Sequence, residues 1–104
     1  MTIVDKNIAN TIARVVVCFS DARGVDIDET FHSQKRGRVS ASRFMIYAYL
    51  HNELGISANK IGKYFNRPRR SVLRGIQTLK NWMQYHSDIK NEYDTLIKNM
   101  GDDD

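Results

Sequence analysis

Arg67, Arg69, Arg70 and Arg74 fall within eight residues, interrupted by Pro68 and Ser71 and preceded by Lys60 and Lys63. A second set, Lys35, Arg36, Arg38 and Arg43, lies upstream. Arginine carries a planar fork of donors that meets phosphate oxygens, or the O6 and N7 of guanine, in pairs. The chemistry these residues suit is therefore recognition of a polyanion. Between residues 35 and 74 there are seven Arg and three Lys against Glu53 alone, a formal charge of +9. Residues 1–34 carry −2 and residues 75–104 carry −3, so the net +4 of the 104-residue chain conceals a segregation of charge. A block of that sign and density attracts nucleic acid, because each phosphate it neutralises releases condensed counterions.

Other chemistries fail on residue type or spacing. One cysteine, Cys18, excludes an internal disulfide framework and a cysteine-based zinc site, and its apolar surroundings suit a small core residue. His32, His51 and His86 have no paired metal-ligand spacing. Asp26-x-Asp28-x-Thr30 begins like a calcium loop, but Phe31 stands where glycine is needed and Gly37 where glutamate is needed. No phosphate-cradling Gly-x-x-x-x-Gly-Lys-Ser/Thr loop occurs. No Ser/His/Asp, Cys/His or paired-carboxylate set has catalytic spacing, so the chain reads as a binding protein rather than an enzyme, with no cofactor, no metal and no small-molecule substrate. The absence of a long apolar run argues against a membrane partner, and the N-terminus lacks a signal-peptide pattern. The expected location is cytoplasmic and nucleoid-associated.

The elements that must position the arginines read as helices. Ile8, Ile12, Val15 and Phe19 recur at helical spacing and predict a helix over about 5–20. Asp26 with Glu29 resembles a capping box and predicts a short helix ending near His32. A basic loop comes next, spanning 33–43 at its widest. A helix over about 41–54 would present Ile46, Leu50 and Leu54, with Gly55 as its left-handed stop. Ser57 is a good N-cap for a short helix through Phe65. Pro68 suits the first turn of a helix over about 68–85, carrying Val72, Ile76, Leu79 and Met83. A last helix, about 88–99, uses Ile89, Tyr93, Leu96 and Ile97, and the acidic tail 101–104 is expected to fray. Trp82 and the tyrosines Tyr47, Tyr49 and Tyr64 are expected to pack. The whole is one all-α domain of about six helices.

A short helix, a three-residue turn and a longer helix over about 57–85 have the proportions of a helix-turn-helix, whose second helix enters the DNA major groove by its N-terminal end. Arg69, Arg70, Ser71 and Arg74 would then read bases. Lys35, Arg36, Arg38, Arg43, Ser57, Lys60, Lys63 and Arg67 would hold backbone phosphates and the adjacent minor groove.

These residues resemble a known family. Ile46-Tyr47-Ala48-Tyr49-Leu50, Glu53-Leu54, Ser57, Ile61-Gly62-Lys63-Tyr64-Phe65 and Val72-Leu73 are similar to the C-terminal DNA-binding domain of the bacterial chromosomal replication initiator DnaA. Asp88-Ile89-Lys90 and Leu96-Ile97 continue the likeness, and Val25-Asp26-Ile27 resembles the short helix before that domain's basic loop. The resemblance spans roughly residues 8–100 and implies a Trp-repressor-like helical fold binding double-stranded DNA. In the family the reading helix opens with Asp-His-Thr-Thr after a glycine-rich turn. Here the positions read Pro68, Arg69, Arg70 and Ser71, and the turn is about one residue shorter. The docking mode is thus expected to carry over while the target sequence changes. The family's basic loop reaches the minor groove through an arginine, which puts Lys35, Arg36 and Arg38 in that role.

The expected function is sequence-specific binding of double-stranded DNA, in a bacterial or phage context, without the family's ATPase module. Met1 favours a stand-alone small protein. The alternative is a protein-interaction module that binds, or competes with, a host replication initiator or another replication protein.

Overall fold

The structure, a computed structural model, describes residues 6–25 and 38–102. The periodic apolar stripes of the sequence become helices that turn those stripes inward. Helix α1 (Lys6–Arg23) buries Ile12, Val15, Val16 and Phe19. It runs about a turn beyond the expected end, because the left-handed residue is Gly24 (φ 68°). Gly24 and Val25 donate to the carbonyls of Asp21 and Ser20 and close the helix.

Helix α2 (Arg38–Ala48) begins earlier than the sequence pattern predicts. Arg38 and Arg43, placed by that pattern in a loop over 33–43, are helical, and Ser40, Ala41, Ser42 and Arg43 are buried. Small residues and one long aliphatic stem can enter a helix–helix contact that no hydrophobic stripe announces. The short helix expected near residues 26–32, and Lys35 and Arg36, lie outside the described residues.

After α2 the chain widens into a π turn, Tyr49–Glu53, in which the Leu54 amide donates to the Tyr49 carbonyl. An inserted residue of this kind rotates the residues after it relative to an α-helical stripe. Leu54, expected on the face of Ile46 and Leu50, is accordingly 42% exposed, while those two are buried. Gly55 (φ 71°) then reverses the chain, and His51 Nδ1 bonds to the Ile56 carbonyl across the bend at 2.9 Å.

Helices α3 (Ala58–Phe65), α4 (Arg69–Tyr85) and α5 (Ser87–Asp102) complete the described chain, which contains five α-helices and no strand. Helix α4 packs against α2, α3 and α5, and α1 closes over α2. The core runs from Ile12 and Phe19 through Met45, Ile46 and Leu50 to Ile61, Val72, Leu79, Tyr93 and Leu96. Of the stripe expected on α4, Val72 and Leu79 are buried, with Ile76 and Met83 packed at its margin. Helix α5 extends to Asp102, past the expected end, and buries Met100.

A polar cluster centred on Arg23 crosses this core. Arg23, 5% exposed at the end of α1, donates through Nε to the Ser42 hydroxyl of α2 and lies 3.5 Å from Met45 Sδ. Its Nη1 pairs with Glu92 of α5. A guanidinium withdrawn from water is tolerable only when its donors are matched. Because Glu92 is partly exposed, the pair should fall between surface and fully buried ion pairs in strength. Glu92→Gln is expected to destabilise the fold by about 1–3 kcal/mol, above the roughly 0.2–1 kcal/mol of an exposed pair, read from the urea midpoint. Lys90→Gln, which removes an exposed i,i+4 pair with Asp94, should shift that midpoint by less than the same experiment finds for Glu92→Gln.

Candidate nucleic-acid interface

The cationic residues of α3 and α4 are arranged by a turn that backbone groups close. Ser57 caps α3, accepting from the Lys60 amide at 3.2 Å. At the other end Asn66 takes the left-handed conformation (φ 57°). Its amide reaches the Lys63 carbonyl, and the Arg67 amide reaches the Gly62 carbonyl at 2.8 Å. This paired 5→2 and 6→1 closure is a Schellman motif, and it supplies acceptors and donors without any side chain. The carbonyl of Arg67 folds back so far that a Cβ on Gly62 would collide with its oxygen. Glycine is therefore needed at 62 for close approach of backbone, at a residue whose φ is ordinary.

Pro68 (φ −67°, ψ 152°) stands at the N-cap of α4, one position ahead of the expected first-turn place, and offers no capping side chain. Its carbonyl accepts from the Ser71 and Val72 amides. Val72 and Leu79 anchor α4 in the core, so the side chains that lead the helix point elsewhere: Arg69, Arg70 and Arg74 are exposed and Ser71 is half-buried. Lys60 and Lys63 on α3 are exposed as well, and Arg67 in the turn is half-buried. Lys60, Lys63, Arg67, Arg69, Arg70 and Arg74 are thus brought to the α3–turn–α4 edge, while Arg38 and Arg43 belong to α2, and the second of these departs from expectation.

Arg43 is the departure. Expected as a loop residue open to phosphate, it is 7% exposed on α2, with its guanidinium carbon 5.4 Å from the centroid of the Phe44 ring. Burial holds its pKa below the ordinary arginine value; the Tyr47 hydroxyl acts against this and the nearby Arg67 charge adds to it. Tyr47 is itself buried, and burial raises its phenol, against the pull of Arg43 and Arg67 and a hydrogen bond from Arg67. Tyr47 packs edge-on against Phe65 of α3 at 5.2 Å, so it joins α2, α3 and the turn. Gly75 makes this possible: a Cβ there would lie 2.6 Å from Phe44 Cδ1 and 3.2 Å from Tyr47 Cδ2.

Between α2 and α4 this leaves a cleft of about 230 Å³ lined by Arg43, Arg67, Arg74, Ser71 and Thr78, with Phe44, Tyr47 and Gly75 as its apolar wall. Phe44 and Thr78 do not stand out in the sequence as site residues. The available signal for Thr78 was its spacing, since residues 71, 74 and 78 share one face of a helix. Among the described residues no group of His, Cys, Asp and Glu side chains could hold a metal ion, and no helix is long and apolar enough to cross a membrane. No protein-family model matches the chain, and no curated protein matches it.

Gly62→Ala distinguishes a close backbone approach from a merely flexible site. In an open helix interior the change stabilises by about 0.5–1 kcal/mol. Here it is expected to destabilise by about 1–3 kcal/mol, measured as a lower urea midpoint at unchanged slope.

Proposed function

We propose that the chain binds double-stranded DNA through a helix-turn-helix formed by α3, the turn at Asn66–Pro68 and α4, and that it acts by binding rather than catalysis. The observation that carries this reading is the leading end of α4. Arg70 projects from the face of α4 opposite Val72 and Leu79, which lock the helix in the core, Arg69 is exposed at its first position, and Lys60 and Lys63 are exposed on the preceding helix. A reading helix needs this division of labour: side chains free to meet base edges on a support that cannot rotate.

In this reading Arg69 and Arg70 enter the major groove to meet base edges, and Ser71 and Arg74 follow them toward the strand that borders it. The N-terminal amides of α4 favour a nearby phosphate, and Lys60, Lys63 and Arg67 neutralise the strand beside it. The resemblance of this region to the replication initiator's C-terminal domain supports the same docking mode. The arginines in place of that family's Asp-His-Thr-Thr favour a site with guanines, each bidentate pair discriminating by about 1–3 kcal/mol. Such a protein would reside with the nucleoid.

With six to eight phosphates engaged, the logarithm of affinity for random duplex DNA should fall with the logarithm of salt at a slope of about −5 to −7. A slope shallower than about −2 would remove the proposal and leave a protein-interaction module as the better reading. Duplex RNA should compete poorly, because its deep, narrow major groove excludes a helix. Replacing Arg69 and Arg70 together with alanine should abolish guanine preference in a selection from random duplexes. An unchanged consensus would show that other residues read the bases.

A further inference from the structure

We propose that the cleft between α2 and α4 is a preformed oxyanion pocket in which Arg43, Arg67 and Arg74, with the hydroxyls of Ser71 and Thr78, hold one backbone phosphate of the bound duplex. The pocket rests on the DNA-binding reading and adds to it a fixed point of attachment. Three arginines from three separate elements, Arg43 of α2, Arg67 of the turn and Arg74 of α4, line one cavity. Among the described residues no acidic side chain lines it. The Phe44 ring and the Tyr47 hydroxyl orient Arg43 and Arg67 without contributing negative charge.

Size narrows the occupant. At about 230 Å³ the cleft is below the roughly 300–1,000 Å³ that encloses a drug-sized molecule, so it suits a single charged group of something larger. Geometry narrows it further. Guanidinium forks and hydroxyls are all donors toward an anion, and tetrahedral phosphate oxygens accept from several directions at once. A half-buried wall strengthens each such bond, since charges in contact are less screened there than on an open surface. Burial disfavours the charged form of Arg43, and Arg67 adds like-charge repulsion; an anion between them would relieve both.

The position selects the duplex over free phosphate as the source. Arg74 belongs both to the cleft and, one turn on from Arg70, to the exposed face of α4 that Arg70 leads. With that face in a groove, the strand bordering the groove runs past the cleft mouth. Its phosphate would bridge α2 to α4 and set the depth and register of the reading helix, contributing affinity that is the same for every sequence.

The test uses the full chain, a labelled random duplex across a potassium chloride series, and inorganic phosphate as a separate probe. Arg43→Gln is expected to weaken duplex binding about tenfold at fixed salt and to flatten the salt slope by about 1, equally for all sequences. Thr78→Val, which keeps shape and removes a donor, should weaken it by less and leave the slope unchanged. Inorganic phosphate should produce saturable shifts of the Arg43 Nε–H resonance that equal ionic strength of chloride does not. If the wild-type chain binds duplex with a steep slope while both variants match it in affinity and slope, the pocket is overturned and the DNA reading stands. If the wild-type chain ignores duplex yet phosphate titrates Arg43, the duplex occupant and the DNA reading both fall, and a free-phosphate site remains. Should Arg43→Gln fail to fold by circular dichroism, Thr78→Val decides alone: unchanged duplex affinity overturns the pocket.

Discussion

The contact between α2 and α4 at Gly75 is the constraint on which the cationic edge depends. With no side chain at 75, the rings of Phe44 and Tyr47 lie directly against α4. Phe44 packs tilted against Trp82 with ring centroids 5.6 Å apart, and Tyr47 meets Phe65. One glycine thus lets a row of aromatic rings tie α2, α3 and α4 into a single support. Aromatic pairs at these separations contribute about 0.5–1.5 kcal/mol each beyond the area they bury. The larger effect is geometric, because the rings fix where the guanidiniums of Arg43 and Arg67 stand.

Charge and packing pull in opposite directions along this edge. Concentrating ten cations between residues 35 and 74 raises the energy of the folded state through self-repulsion. The fold answers by sorting them. Arg69, Arg70, Arg74, Lys60 and Lys63 stay in water, where repulsion is screened within about 8–10 Å at ordinary salt. Arg43 is taken inward onto an aromatic face. Arg23, outside the block, is taken further inward and is matched by Glu92 and Ser42. The acidic share of α5 therefore has a structural use as well as an electrostatic one.

Much of the architecture was legible in the chain. The stripes of α1, α4 and α5 predict buried faces that the structure has, and Ser57, Gly55 and the break before α4 mark real boundaries. What escaped depends on partners distant in sequence. The ion pair of Arg23 joins residues 69 positions apart in chain numbering, and a lone arginine at a helix end gives no hint of it. The burial of Arg43 depends on Gly75 and Tyr47, and its charge alone suggested solvent. The π turn at Tyr49–Glu53 arises from how α2 meets Gly55 and Ile56, and no local periodicity encodes it; the exposure of Leu54 is its visible result. Among the cationic residues, those on α3 and α4 were placed by pattern, because a helix with a strong apolar stripe leaves only one face for its charges.

The Schellman closure of the turn has a consequence for substitution. Since Asn66 and Arg67 end α3 through backbone amides and carbonyls, and Arg69 and Arg70 make up no part of the core, the identities of the leading residues carry little of the folding free energy. Stability resides in Gly62, Gly75, Val72 and the aromatic row, behind the edge. The residues at 69 and 70 can therefore be exchanged without passing through unfolded intermediates.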